Sequence, residues 1–381
     1  MRPFTFHPGP RLIAGHALHE RLPGLLPEGP CLFVTDAGVR GLGLANGFCA
    51  AVEESGRLVT VFDRVEADPS KDTLLAAVET GRLAGVQSVV GFGGGSPMDV
   101  AKLAAYLLGS GDELDKVWGV DVAKGQRLPL VLVPTTAGTG SEATPISVIT
   151  CEGGTKLAVN ARPLTADWAL LDPELTIGLP AHVTAATGID AIVHAVEAYT
   201  SARLKNPLSD ALAREALGLL TGNLLTACRE PGNLEARSAM LLGAHLAGIA
   251  FSNAPVGGVH ALAYPLGGLF HLPHGLTNAL MLRPVLEHNS EAARELYAEL
   301  APILDPGLEG LGSQAQAQGF VNSVCQLAAD TGVSLRLRDH GIGEDSLDLL
   351  ASEAMKQTRL LVNNPCPIEE ADARRLYEAA W

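Results

Sequence analysis

Apolar residues are laid out along this chain in two textures. Up to about residue 172 they come in short unbroken runs, at 31–35, 58–62, 88–92, 129–133 and 146–150, most of them bounded by Gly, Pro or Asp. Between these runs, 70–83 and 98–108 carry apolar positions at three- and four-residue spacing. An unbroken apolar run predicts a strand buried on both faces, and helices between such strands predict a parallel sheet. The expected fold of this part is a doubly wound α/β domain.

Beyond Thr184 long helical periods take over, at 189–200, 209–220, 235–251, 276–288, 292–301, 315–331 and 347–356. Periods of that length predict helices, so the second part is expected to be all-α. The change of texture near 172–180 divides the chain into an α/β nucleotide-binding domain, 1–178, and a helical domain, 179–381. The crevice between two such domains is the natural place for a ligand.

Composition narrows the possible partners. The chain has 381 residues, 47% hydrophobic and 18% charged, which suits large packed cores rather than disorder. Lys and Arg number 27 against 42 Asp and Glu, a net charge of −15, the wrong sign for a nucleic-acid binder. The first residues lack the apolar core of a signal peptide, and no apolar stretch approaches the ~18 residues of a membrane span. Cysteines at 31, 49, 151, 228, 325 and 366 form no C-x-x-C pair and read as buried thiols of a reducing compartment. The expectation is a cytoplasmic protein that binds neither membrane nor nucleic acid.

Against that background a few segments carry chemistry. The run 88–92 passes into Gly93-Gly94-Gly95-Ser96-Pro97 and then into a helical period. Glycines let backbone approach an anion, and a helix N-terminus offers free N–H groups and a positive dipole end. Ser96 stands where a G-x-G-x-x-G motif counted from Gly91 needs its third glycine, so this is a different phosphate loop or a plain strand-to-helix turn. The hydroxyl-rich loop Thr135-Thr136-Ala137-Gly138-Thr139-Gly140-Ser141-Glu142 could donate to a pyrophosphate or a carboxamide, and also reads as a surface turn. Asp36, just past a strand end, could accept a ribose hydroxyl and repel a 2′-phosphate, favouring NAD over NADP.

In the helical part, Asp190 and His194 are spaced i, i+4 and share a helix face. His260 and His274 each sit in an expected turn beside Gly or Pro. One carboxylate and three imidazoles make an N3O set suited to Fe²⁺ or Zn²⁺, with room for a substrate oxygen. His245 reads as a core histidine and His271 stays open. His7, His16, His19, His182, His288 and His340 read as surface residues.

Together these segments resemble the iron-containing (group III) alcohol dehydrogenase family, whose fold is related to that of glycerol dehydrogenase and dehydroquinate synthase. The likeness runs through Gly93-Gly94-Gly95-Ser96-Pro97-Met98-Asp99, the loop from Pro134 to Glu142, Thr187-Gly188-Ile189-Asp190-Ala191 with His194, Ala247 to Asn253, His260 to Pro265, and Pro273-His274-Gly275. It implies metal ligation by Asp190, His194, His260 and His274, with Fe²⁺ or alternatively Zn²⁺. It also implies NAD contacts at Asp36, Asp68, Gly95, Ser96, Thr135, Thr136, Thr139, Thr144 and Lys156, and a substrate pocket at Phe251. The implied activity is hydride transfer between a small alcohol or aldehyde and NAD, in a homodimer. An oxoacid-directed relative, of maleylacetate reductase or hydroxyacid–oxoacid transhydrogenase type, is the alternative. Two positions depart from the family pattern. Tyr264 stands where many members carry a proton-relaying histidine and is the candidate catalytic residue, either carrying the proton outward or filling the pocket wall. Asn364-Pro365-Cys366-Pro367 replaces Asn-Pro-Arg-Pro.

Overall fold

In the computed structural model, which describes residues 3–381, the chain divides into two compact units. One is Pro8–Gly178 and the other is Leu179–Trp381 joined by the residues through His7. Those N-terminal residues, expected with the α/β domain, group instead with the helical one. His7 donates its N–H to Asn253 Oδ1 at 2.7 Å and accepts from Asn253 Nδ2 at 2.9 Å.

The α/β unit is built on β1 (Arg11–Ala14), β2 (Cys31–Val34), β3 (Val59–Phe62), β4 (Ser88–Gly93), β5 (Gly119–Val120), β6 (Leu130–Pro134), β7 (Ile146–Thr150), β8 (Lys156–Asn160) and β9 (Trp168–Leu171). Its helices are α1 (Ala37–Gly41), α2 (Asn46–Glu54), α3 (Lys71–Leu83) and α4 (Gly95–Ser110). Six strands form one parallel sheet in the order β1-β9-β6-β4-β2-β3. β2, β4 and β6 are buried at every position, which is why they read as continuous apolar runs. Alternate side chains feed two cores. Leu32, Val34, Val89 and Leu132 pack with Leu74 of α3 and Met98 of α4, while Phe33, Val90, Phe92 and Val133 pack with Phe48 and Val52 of α2.

The strand order reverses at β2 and β4. The chain runs from β2 outward to β3, then crosses back to β4 and on to β6. A ligand crevice opens at such a switch point, beyond the carboxyl ends of the strands. Asp36 follows β2, Gly93–Ser96 close β4 and open α4, and Thr135 follows β6.

The run 146–150, expected from sequence to be a strand of the parallel sheet, does not join it. β7 pairs antiparallel with β8, and β5 adds parallel to β8, in a separate three-stranded sheet. The cause is the hairpin between β7 and β8, where Gly153 and Gly154 adopt φ of 71° and 76°. A glycine-bearing loop of this length joins neighbouring antiparallel strands.

The helical unit comprises α5 (Ala181–Thr200), α6 (Pro207–Arg229), α7 (Leu234–Asn253), α8 (Gly258–Phe270) and α9 (His274–Asn289). It continues through α10 (Arg294–Leu304), α11 (Ser313–Asp330), α12 (Leu347–Met355), α13 (Thr358–Leu361) and α14 (Glu370–Ala380). No strand occurs among its described residues. The expected turn at Gly257–His260 is the first turn of α8, hidden in sequence by glycines and by Pro265 inside the helix. Likewise His274 is the first residue of α9, with Pro273 as its N-cap.

All six cysteines are free; Cys31, Cys49 and Cys325 are buried and the other three are half-buried, less than the sequence suggested. Among the described residues, no single helix is long and apolar enough to cross a membrane.

Candidate active site

The glycine turn and the hydroxyl loop meet within the α/β unit. Thr135 donates its N–H to Gly93 O at 2.9 Å. A Cβ on Gly95 would stand 2.9 Å from Thr139 Cγ2, and one on Gly94 would stand 3.7 Å from Thr136 Oγ1. Gly93, at φ 144°, has space for no side chain, since a Cβ would lie 2.9 Å from Pro97 and 3.2 Å from Asp36 Oδ2. Asp36 therefore faces the turn with one oxygen, while its Oδ1 accepts Val39 N–H at 2.8 Å and caps α1.

Asp68 and Lys156 join each other in an ion pair, Nζ to Oδ1 at 2.6 Å. Asp68 has φ 52°, a left-handed conformation that Asp and Asn tolerate better than most residues. Thr144 is buried, its hydroxyl 3.4 Å from Lys102 Nζ. Lys102 was not singled out from sequence, yet it is fully buried. Its ammonium lies 3.0 Å from Asp99 Oδ1 and donates to Ser141 O at 2.9 Å and to Ile146 O. Burial pushes its pKa down against the opposing pull of Asp99.

In the helical unit the four expected ligands converge. One ligand atom from each of Asp190, His194, His260 and His274 lies within 4.8 Å of all the others. Asp190 Oδ1 is nearly equidistant from three Nε2 atoms, at 3.7 Å from His194, 3.8 Å from His260 and 3.7 Å from His274. Asp190 and His194 stand one turn apart on α5, His260 is in the first turn of α8, and His274 opens α9. Helices α5 and α9 touch closely: a Cβ on Gly275 would stand 2.4 Å from Ala186 O, so only glycine lets His274 come this near Asp190.

Asp190, His194 and His260 are buried, while the His274 side chain keeps 34% of its surface exposed, so the cluster is reached from that side. Burial raises the Asp190 pKa, but the imidazoles of His194, His274 and His260 and the Asn278 amide outweigh it and hold the carboxyl below its usual range. The Phe251 ring stacks on His194 at 4.4 Å between centroids, and Tyr264 packs 5.8 Å from His274 and 6.5 Å from His260. His271, left open by the sequence, is exposed at the end of α8 with φ 55°. His245 is buried on α7, outside the cluster.

Two residues missed from sequence touch the ligands. Asn278, one turn after His274, sets its Nδ2 2.6 Å from Asp190 Oδ1, 3.2 Å from His260 Nε2 and 3.3 Å from His274 Nε2. Glu197, two turns after Asp190 on α5, meets His260 Nδ1. The only sequence signal for either is helical spacing from a ligand, which any surface Glu or Asn also shows.

The donor set fits a divalent first-row cation. A tetrahedral ion bound at about 2.1 Å sets its ligand atoms about 3.4 Å apart, within a few tenths of an ångström of the separations around Asp190. Three imidazoles and one carboxylate suit iron(II) or zinc(II), and a substrate oxygen would enter by expansion beyond four ligands.

Known proteins resemble this chain over most of its length. The family model for iron-containing alcohol dehydrogenase matches residues 9–173, and that for the C-terminal part of the same family matches 184–381. Long-chain-alcohol dehydrogenase 1 of Geobacillus thermodenitrificans is 40% identical over 353 residues, covering 92% of this chain and 89% of its own. The structure of an alcohol dehydrogenase from Oenococcus oeni superposes with a TM-score of 0.95 at 32% identity, over 100% of both chains. Sulfoacetaldehyde reductase from Bifidobacterium kashiwanohense, solved in complex with NAD⁺, gives a TM-score of 0.87 at 27% identity, over 100% of this chain and 99% of its own.

Proposed function

We propose, from the premise that the chain belongs to the iron-containing alcohol dehydrogenase family and is an NAD-dependent oxidoreductase acting on CH–OH groups, that Asp190, His194, His260 and His274 hold its catalytic iron(II). The observation that carries this reading is the single carboxylate oxygen of Asp190, ringed by three imidazole nitrogens at 3.7–3.8 Å. When bound, iron(II) supplies Lewis acidity toward the oxygen of the alcohol or aldehyde, and NAD accepts or donates the hydride.

The protein's own part is to bind and orient. Gly95, Ser96, Thr135, Thr136, Thr139 and Thr144 cradle the dinucleotide with backbone N–H groups and hydroxyls beside the α4 N-terminus. Asp68 and Lys156 frame it as an ion pair. Phe251 and Tyr264 wall the substrate with aromatic surface, which suits a neutral alcohol. The enzyme works as a cytoplasmic homodimer; its six free thiols suit a reducing compartment.

The test is anaerobic metal analysis together with an assay of alcohols and oxoacids against NAD(H) and NADP(H), before and after chelation. Activity on neutral alcohols should vanish with the metal and return with added Fe²⁺. Full activity in metal-free protein would overturn the assignment.

Asp36 is assigned to the ribose hydroxyls. Asp36→Ser keeps an N-cap oxygen for Val39 but removes the charge that repels a 2′-phosphate. It is expected to move the NADP⁺ to NAD⁺ ratio of kcat/KM toward NADP⁺ by about tenfold or more, as loss of a like-charge repulsion of a kcal/mol or two requires. An unmoved ratio would detach Asp36 from cofactor choice.

Tyr264 packs its ring on two of the imidazoles and is assigned to the pocket wall. Tyr264→Phe should keep kcat within about twofold with the same pH profile, and Tyr264→Ala should lose about 1 kcal/mol in kcat/KM through lost ring contact. A pH profile altered in the Phe variant would instead show that the hydroxyl moves a proton.

A further inference from the structure

We infer that Glu197 is the positioning residue of the metal centre: it fixes both the ring orientation and the tautomer of His260, and so decides whether that imidazole can bind a cation. The inference rests on the reading of the four-residue cluster as a metal site. Asp190, His194 and Glu197 follow one another on α5 at i, i+4 and i+7, along one helix face. Glu197 is buried, and each of its carboxylate oxygens has a partner on α8. Oε1 accepts the N–H of Val259 at 2.7 Å, and Oε2 lies 2.6 Å from His260 Nδ1.

The two bonds do separate things. Val259 is in the first turn of α8, where N–H groups have no partner inside the helix, and the N-cap Gly257 brings no side chain to cap them. Glu197 caps this terminus from α5, as Asn364 Oδ1 does for the N–H of Gly258 at 3.2 Å. The start of α8 is thereby pinned to the helix that carries Asp190 and His194. The second bond acts on the ring itself. A carboxylate only accepts, so Nδ1 must carry the proton and Nε2 is left with its lone pair. That bare Nε2 is the atom 3.8 Å from Asp190 Oδ1, and the Asn278 amide nitrogen stands 3.2 Å from it as a donor to a lone pair should. A carboxylate on the far nitrogen also makes the imidazole a stronger ligand.

Glu197→Gln separates these roles from mere packing. The amide has nearly the same size but one acceptor atom instead of two. Oriented to serve Val259 N–H, it presents NH₂ to His260 Nδ1 and drives the proton to Nε2; flipped, it leaves Val259 uncapped. With Zn²⁺ as a redox-silent probe and a competing chelator, the variant is expected to bind 10–100-fold more weakly than wild type, the usual cost of losing such a partner. His260→Ala should also weaken Zn²⁺ binding, and in that background Glu197→Gln should change it by less than about twofold, because the ligand it orients is gone.

Unchanged Zn²⁺ affinity in Glu197→Gln, alongside a loss in His260→Ala, would overturn the role of Glu197 and leave the metal site standing. No loss in His260→Ala would overturn the metal reading and this inference with it. Should the Gln variant not fold, zinc-loaded wild type decides. Selective imidazole ¹⁵N labelling should show a slowly exchanging Nδ1–H on the histidine whose signal His260→Ala removes, and a His260 protonated at Nε2 would overturn the assignment.

Discussion

Asp190→Asn is expected to abolish metal retention while leaving the fold intact. The substitution keeps shape and hydrogen-bonding reach but removes the one carboxylate of the four-residue cluster, whose other members are three imidazoles. Those imidazoles and the Asn278 amide outweigh the burial of the carboxyl and keep Asp190 ionised, so the charge lost is a full one. Three neutral imidazoles still bind a divalent cation, but more weakly without the anionic oxygen that offsets its charge. After dialysis the variant should hold far less iron than wild type, and kcat/KM should fall by about 10³ or more, since several kcal/mol of charge stabilisation goes with the metal. A thermal scan separates this from unfolding. Added Fe²⁺ or Zn²⁺ should raise the Tm of wild type, as any ligand of the native state does, and leave that of the variant unmoved. A variant that keeps stoichiometric iron and wild-type rates would remove Asp190 from the centre.

That these four side chains form a candidate set in the sequence, while the residues packed on them do not, has a physical cause. Asp190 and His194 announce themselves by i, i+4 spacing on an apolar helix, and His260 and His274 by Gly or Pro at a helix start. Glu197, Asn278 and Lys102 carry no such mark. Each lies on a helix at a spacing shared by ordinary solvated residues, and each is buried only because a second segment closes over it. For Glu197 that segment is the start of α8, for Asn278 the Asp190 face of α5, and for Lys102 the 141–146 loop. Tertiary closure of this kind is not written in local periodicity.

The fold divides the same way. β2, β4 and β6 are readable because central strands of a parallel sheet are apolar on both faces, and edge strand β3 because it is rich in β-branched and aromatic residues. β1 lies at the sheet edge with three of its four residues exposed, and β5 has two residues, so neither leaves a clear pattern. The run at 146–150 reads as a strand but its pairing does not follow from it, because strand propensity says nothing of partners. The Gly153-Gly154 turn held that information. α14 is polar overall and was passed over, although Ala373, Leu376, Tyr377 and Ala380 form a narrow buried stripe.

Lys102→Met should produce a large loss of stability in the α/β unit. The ammonium is fully buried and bonded to Ser141 O and Ile146 O, with Asp99 Oδ1 at 3.0 Å. Asp99 in turn accepts Ser141 Oγ at 2.6 Å and Val148 N–H at 2.8 Å. This network ties α4, which the glycine turn opens, to the end of the hydroxyl loop. Methionine matches the volume but leaves the half-buried Asp99 carboxylate without its cation and two carbonyls without a donor. Breaking one side of a buried pair costs about 3–5 kcal/mol. In a unit of this size that is a fall of about 10 °C in Tm, or the matching shift of the urea midpoint. Asp99→Asn added to Lys102→Met should recover part of the loss, because the orphaned charge is then gone, with a coupling of about 0.5–3 kcal/mol. The KM for NAD⁺ should rise in the single variant while iron content stays at the wild-type level, since the ligands of the metal lie in the other unit. A single variant as stable as wild type, with an unchanged KM, would mean that this loop is held by its backbone alone.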